Sequence, residues 1–427
     1  MSVDESVTGT SQPNAPDRVS ARRAIEALRS GVPNRAAVEI LGSSQTAICD
    51  RFDALLAACG DVARQEPVGG MLMAGGFGSG KSHLLEYLAE RAVSAGFLVS
   101  KVVVSKETGL HDPIRVLRAA LAEARLPGRV GSAIDEIAAG LRTASPEYAA
   151  LYRWVHRDDA PVDSRFAATL FVHEYARGDA EFADRIVRFW AGDPLPLPEL
   201  RRRLKEAGAA GTYRLGPIRE RELAVQRFRF VSRLAQAAGY RGWAVLIDEV
   251  ELIGRYSFLQ RAKSYAEINR WIRGDRDDPS APLVAVMATV DDFEAQVLVG
   301  KNDIELIPSR LRAKATAESD LLAGAAESGM RVLERQAMQV QPPGPEALEA
   351  TYTAVKALHA AAYGWTPPDV AGLERLPSNR MRQYVRAWIN EWDLVRADPS
   401  FRPETTVSEV TLDYREDAEL EGDAEPG

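Results

Sequence analysis

GGFGSGKSHLLEYL, residues 75–88, decides how the rest of the chain is read. Gly75-Gly76-Phe77-Gly78-Ser79-Gly80-Lys81-Ser82 fits the spacing G-x-x-x-x-G-K-S of a phosphate-binding loop. Glycines let a backbone turn tightly and aim successive N–H groups at one anion. The run from Lys81 to about Ala95 reads as a helix, whose N-terminus adds positive potential. The pattern casts Lys81 as the contact to the β- and γ-phosphates and Ser82 as a ligand of Mg²⁺. His83 follows in the first helical turn and joins the candidate nucleotide contacts.

The flanks fit that loop. Met71–Gly75 is a short apolar run, as expected of a buried strand entering it. Phe97–Ser105, Trp243–Asp248 and Pro282–Val290 read as further strands, and Arg331–Val340 as a weaker fifth. Helical stretches separate them, which implies an α/β fold with a parallel sheet covered on both faces, a P-loop NTPase. The interval between the second and third strands is far longer than one crossover helix needs. Ile114–Ala124, Val130–Leu141, Ala168–Tyr175 and Arg221–Gly239 read as helices there, so a helical insertion is expected at about 114–240.

Ala244-Val245-Leu246-Ile247-Asp248-Glu249 supplies the second motif. Four apolar residues place a strand inside the sheet, and Asp248 emerges at its carboxyl end to hold Mg²⁺ through water. Glu249 is placed to polarise the attacking water. Glu251 reads as a solvated or structural acid. Thr289 ends the fourth strand, either as a sensor of the γ-phosphate or as a plain strand-end residue; Asp291 is a weaker candidate. Arg310 and Arg312 lie in Ile307–Ala313, where an arginine from a neighbouring copy would neutralise transition-state charge. Surface arginines are the alternative. Arg380 and Arg382 open a C-terminal helix, from which a lid arginine would touch nucleotide.

Composition limits the other classes. The 427 residues are 46% hydrophobic and 27% charged, an ordinary globular balance. The net charge is −8, and Asp413–Gly427 alone holds seven acids against one Arg. No global basic excess argues for nucleic acid. Two local clusters are candidates: Arg201, Arg202, Arg203 and Lys205, then Arg219, Arg221, Arg227 and Arg229 interleaved with Phe228 and Phe230. Each is either a nucleic-acid surface or a solvated face with arginines lying over apolar neighbours. Cys49 and Cys59 are the only cysteines and sit on an apolar helical face, so no disulfide framework or four-cysteine zinc site is expected. There is no apolar run of membrane-spanning length. The polar, acidic start MSVDESVTGTSQPNAPDRVS lacks the pattern of a signal peptide, and a cytoplasmic protein is expected.

Residues 1–20 read as a flexible leader and 21–343 as the ATPase core with its insertion. Residues 344–402 read as a helical lid and 403–427 as an acidic disordered tail. Ala24 and Leu28, then Ala37, Ile40 and Leu41, then Ile48, Phe52, Leu55 and Leu56 give residues 21–64 a helical period, broken by a turn at Ser30–Arg35.

EALRSGVPNRAAV (Glu26–Val38), AGGFGSGKSHLLEYLA (Ala74–Ala89), VVVSKETGLHDP (Val103–Pro113) and AVLIDEVELI (Ala244–Ile253) together resemble the ATP-binding proteins of BREX bacteriophage-exclusion systems, with the D-type, BrxD-like members closest. The likeness runs over about residues 21–395. It implies an AAA+-like ATPase of the group that contains origin-recognition and STAND proteins. ATP and Mg²⁺ are the implied cofactors. Implied partners are other BREX components, among them a helicase-like protein, with DNA met directly or through a partner, and a possible homo-oligomer. The favoured role is a nucleotide-driven switch or loader in antiviral defence. The alternatives are a nucleotide-held scaffold with little turnover and an origin-recognition-like ATPase that binds DNA directly. Matching positions carry Lys81 and Ser82 for nucleotide and Mg²⁺, and Asp248 and Glu249 for hydrolysis. The Gly31–Asn34 turn would border the adenine.

Overall fold

A strand that is apolar at every position has no face to give to water, so it must lie inside a covered sheet. Gly70–Ala74 (GMLMA) and Trp243–Asp248 (WAVLID) are such strands, buried throughout. The computed structural model of the chain describes residues 17–30, 35–59, 66–370 and 381–401. It opens with α1 (Arg18–Ser30), α2 (Arg35–Leu41), α3 (Thr46–Cys59), β1 (Gly70–Ala74), α4 (Lys81–Ser94) and β2 (Leu98–Val103). The insertion follows as α5 (Pro113–Ala122), α6 (Ala133–Gly140), α7 (Pro146–Val155), α8 (Ser164–Tyr175), α9 (Ala180–Ala191), α10 (Leu197–Glu206) and α11 (Glu220–Ala237). Next come β3 (Trp243–Asp248), a 3-10 segment Val250–Arg255, α12 (Phe258–Arg273), β4 (Leu283–Thr289) and a π-helical segment Glu294–Val299. The described chain ends with α13 (Asp303–Arg312), α14 (Ala317–Arg335), β5 (Ala337–Gln339), α15 (Pro345–Tyr363) and α16 (Met381–Ala397).

The strands form one parallel sheet in the order β2-β3-β4-β1-β5. The expected α/β class with a parallel sheet is therefore present, and it is compatible with a P-loop NTPase. The strand that follows the Asp248 motif stands between β3 and β1. Side chains alternate between two cores, as the pleat requires. Leu72, Val245, Ile247 and Met287 face the helices of the insertion together with α12 and α14. Met71, Met73, Leu246 and Val286 face α3 and α4.

Several local expectations shift. The fifth strand is only Ala337–Gln339, because Arg331–Arg335 completes α14. Ala323, Ala326, Met330 and Leu333 are buried at helical spacing, and that stripe outweighs the β-like composition of the end. At Gly329 a Cβ would stand 1.8 Å from the Tyr265 carbonyl oxygen, so α14 packs backbone to backbone on α12. The insertion holds more helix than its periodicity showed, with α7, α9 and α10 added. Arg18–Ser20, expected in the leader, form the first turn of α1, where Asp17 accepts from Val19 N at 2.8 Å and Ser20 N at 3.0 Å. Residues 1–16 of the expected leader, the Gly31–Asn34 turn, Arg380 and the tail lie outside the described residues. Cys49 and Cys59 are buried on α3.

The chain divides into two units. Among the described residues, the larger unit contains the sheet and the insertion, and the smaller contains α1, α2, α15 and α16. In the smaller unit α1, α2, α15 and α16 share a core of Ile25, Leu358, Ile389 and Trp392. His359 is buried there; Trp365 Nε1–H donates to its Nδ1 at 2.9 Å, so Nε2–H donates to Asp393 at 3.2 Å.

Candidate functional site: a phosphate loop at the carboxyl edge of the sheet

In a parallel sheet, loops leaving the carboxyl ends of the strands share one edge. Register puts the candidate residues there. Ala74 pairs with Thr289 across β1 and β4, and Asp248 pairs with Val103 across β3 and β2. Gly75 N donates to Thr289 O at 3.2 Å, and Val104 N to Asp248 O at 3.0 Å.

The loop turns as its glycines require. Gly78 and Gly80 have φ of +77° and +99°. Gly80 caps α4 without a side-chain bond. Gly75 meets a second demand: a Cβ there would lie 2.7 Å from Ser79 Oγ and 2.9 Å from Val340 Cβ. Gly76 is buried, Phe77 is exposed at the loop tip, and Ser82 and His83 are half-buried in the first turn of α4.

Lys81 is only 8% exposed. Its ammonium donates to Gly75 O at 2.6 Å and Gly76 O at 3.2 Å. Ser79 Oγ, Thr289 Oγ1 and Glu251 Oε2 are buried without a hydrogen-bond partner. Buried polar atoms are normally paired, so a set of three around one loop marks a place built for a ligand, ion or water.

Asp248 is buried at the end of β3 and its Oδ1 accepts from Glu249 N at 3.0 Å. Among the described residues no group of three or more His, Cys, Asp and Glu could hold a metal ion. Glu249 is exposed, with φ of 57° and ψ of 37°. A non-glycine residue in that left-handed region costs about 1 kcal/mol.

Glu251 is the residue that sequence reading underrated. It is not solvated: only 5% of it is exposed. Burial pushes its carboxyl up to about 7; Lys81 pulls the other way, and Asp248 and Glu249 add to the rise. The two-residue spacing from Glu249 was the available signal, but only packing shows that the 3-10 turn folds this side chain inward.

The remaining candidates sit elsewhere. Arg310 is exposed at the end of α13, its guanidinium 5.4 Å from the Phe258 ring centre. Arg312 pairs with Glu327 at 2.8 Å. A buried network anchors α13: Arg261 makes two bonds to Asp303, at 2.8 and 2.9 Å, and donates to Tyr256 O at 2.7 Å, while Tyr265 OH donates to Asp303 at 2.7 Å. Arg382 lies in the first turn of α16, in the smaller unit.

The second basic cluster is largely not a surface. Arg227 is fully buried and donates to Phe189 O at 2.9 Å. Arg229 is buried on Asp275, on Asp277 at 2.6 Å and on Pro161 O at 2.7 Å. Phe228 and Phe230 are fully buried as well. The acids of Gly274–Asp278 (GDRDD) were the readable sign of that pairing. Arg219 is exposed, and Arg221 pairs with Glu267 at 2.9 Å. On α10, Arg201, Arg202 and Lys205 are exposed, and Arg203 pairs with Asp179 at 2.6 Å.

The Ser105–Pro113 stretch lies beside the Asp248 end of β3. Ser105 Oγ accepts from Glu107 N at 3.2 Å and Thr108 N at 3.1 Å, Tyr256 OH donates to Ser105 O at 2.9 Å, and Asp112 caps α5. The stretch thus ties β2 to the residue that ends the turn carrying Glu251. His111 stands edge-on to Tyr256, and burial lowers its imidazole to about 4.

No helix among the described residues is long and apolar enough to cross a membrane. No curated protein matches the chain. The family of BREX system ATP-binding proteins BrxC/D matches residues 17–137, from α1 through the phosphate loop and the Ser105–Pro113 stretch into α6. The resemblance to BREX ATP-binding proteins read from the sequence is borne out over that stretch, which holds the glycine-rich loop but ends before β3.

Proposed function

We propose that the chain binds ATP with Mg²⁺ and hydrolyses it, as an AAA+-like switch or loader of a BREX-type antiphage system in the cytoplasm. Lys81 carries the reading. Burying an ammonium is costly, and this one is held over the carbonyls of a glycine loop. A triphosphate on that loop would place its negative charge against that ammonium. The sheet order supports the AAA+-like assignment, since β4 stands between the strands of the two motifs.

In this reading Lys81 draws charge from the β- and γ-phosphates, and the N–H groups of Gly76–Ser82 cradle them. Ser82, and Asp248 through water, would hold Mg²⁺, which supplies charge neutralisation on the phosphates. Glu249 orients the attacking water and takes its proton, and Thr289 reports the γ-phosphate to β4. Arg310, reaching the site of a neighbouring copy, stabilises the transferring group. A helicase-like partner and DNA lie downstream. Glu249 is exposed and its backbone left-handed. That observation supports a second reading, a nucleotide-held scaffold whose turnover waits for a partner.

Steady-state ATP hydrolysis by the purified chain, with and without double-stranded DNA, separates the two. The switch reading expects turnover that rises with DNA and falls by about 10²–10³ in Glu249→Gln, with nucleotide binding kept. Binding without turnover in either condition would leave the scaffold. Undiminished binding in Lys81→Ala would remove both readings.

A further inference from the structure

Glu251 is the buried acid beside the phosphate loop that hydrolysis, as proposed, does not use. It opens the turn after β3, is 5% exposed, and leaves Oε2 without a hydrogen-bond partner. The charges acting on it are Lys81, which attracts it, and Asp248 and Glu249, which repel it. A desolvated carboxylate oxygen with nothing to bind is a standing cost, and large penalties of this kind cluster at functional sites. Three acids thus act around one buried lysine, at a loop shaped for an anion.

Such a site distinguishes the charge of its ligand. A free nucleoside triphosphate carries about twice the negative charge of its magnesium complex, so the ion's own charge decides the local balance. We infer that Glu251 is a specificity-determining residue of this site: it repels the free nucleotide and leaves the magnesium-bound nucleotide favoured. It acts through its field at the phosphates and not as a metal ligand. The field is strong because both Glu251 and Lys81 are removed from water. This inference rests on the phosphate-loop reading above.

The test is equilibrium binding of a fluorescent ATP analogue to the full chain, in excess Mg²⁺ and in EDTA, above pH 8, where Glu251 carries its charge. Glu251→Gln keeps the shape and removes the charge. The variant is expected to bind free nucleotide about tenfold more tightly than the parent, while affinity for the magnesium complex changes by about threefold or less. The ratio of the two dissociation constants then falls by about tenfold. A merely structural role would weaken both forms together. An unchanged ratio overturns the inference, as does parallel loss of both affinities in a variant that keeps its thermal midpoint. Lys81→Ala distinguishes failure of the underlying reading. If it binds as the parent does, or the parent binds neither form, the phosphate-loop assignment falls and this inference falls with it.

Discussion

Replacing Glu251 by Gln should change how stability depends on pH. The fold raises the Glu251 carboxyl from 4.5 to about 7, chiefly by burial. A raised acid binds its proton more tightly when folded, so it stabilises at low pH, and that stability is lost as pH climbs from 4.5 through 7. His111 works in the opposite direction. Burial lowers it from 6.5 to about 4, so its stability is present above 6.5 and lost as pH falls toward 4. The two effects are similar in size and overlap in pH, so they largely cancel in the parent protein. Glu251→Gln removes one and exposes the other. Each tenfold change in proton affinity on folding is worth about 1.4 kcal/mol, so the variant should gain roughly 2–3 kcal/mol on the parent between pH 5 and pH 8. Some constant cost of the buried amide is expected at both. Thermal midpoints at the two pH values measure the change, and the difference should move by on the order of 5 °C. Taking the difference between the two proteins cancels every group they share. Parallel stability curves would refute the claim that burial raises the Glu251 carboxyl in the folded protein.

Two further predictions concern how the elements that frame the site are held. Gly329→Ala places a methyl group 1.8 Å from the Tyr265 carbonyl oxygen, so α14 must move off α12; a loss of about 1–3 kcal/mol is expected in denaturant unfolding. Asp303→Asn leaves the Arg261 guanidinium buried opposite a neutral amide. The expected loss is about 3–5 kcal/mol, and the pair Arg261→Met with Asp303→Leu should recover much of it. A single substitution as mild as a surface change would mean that this network does not anchor α13.

The site divides by the range of the forces that make it. The glycine-rich loop, its flanking strand and helix, and the Asp248–Glu249 strand end were legible from residues 75–88 and 244–249. Glycine conformations, helix starts and unbroken apolar runs are decided within a few residues, so their signals are local. β1, α4 and β3 accordingly stand within a residue or so of where periodicity puts them. The grouping of Cys49 and Cys59 on a buried helical face was legible for the same reason.

Arg227 and Arg229 look like a nucleic-acid face when read locally, because their partners Phe189, Asp275 and Asp277 are distant in the chain. Glu251 looks like any acid in a turn until β3, the phosphate loop and the neighbouring helices close around it. The end of α14 reads as strand until its buried stripe meets α12. Local chemistry thus placed a glycine loop, a lysine and an aspartate at the ends of strands. Which charges lose their water, which oxygens lose their partners, and which strand stands between the two motifs were decided by packing between residues far apart in sequence. Burial is a property of everything that surrounds a side chain, and no short window of sequence contains it.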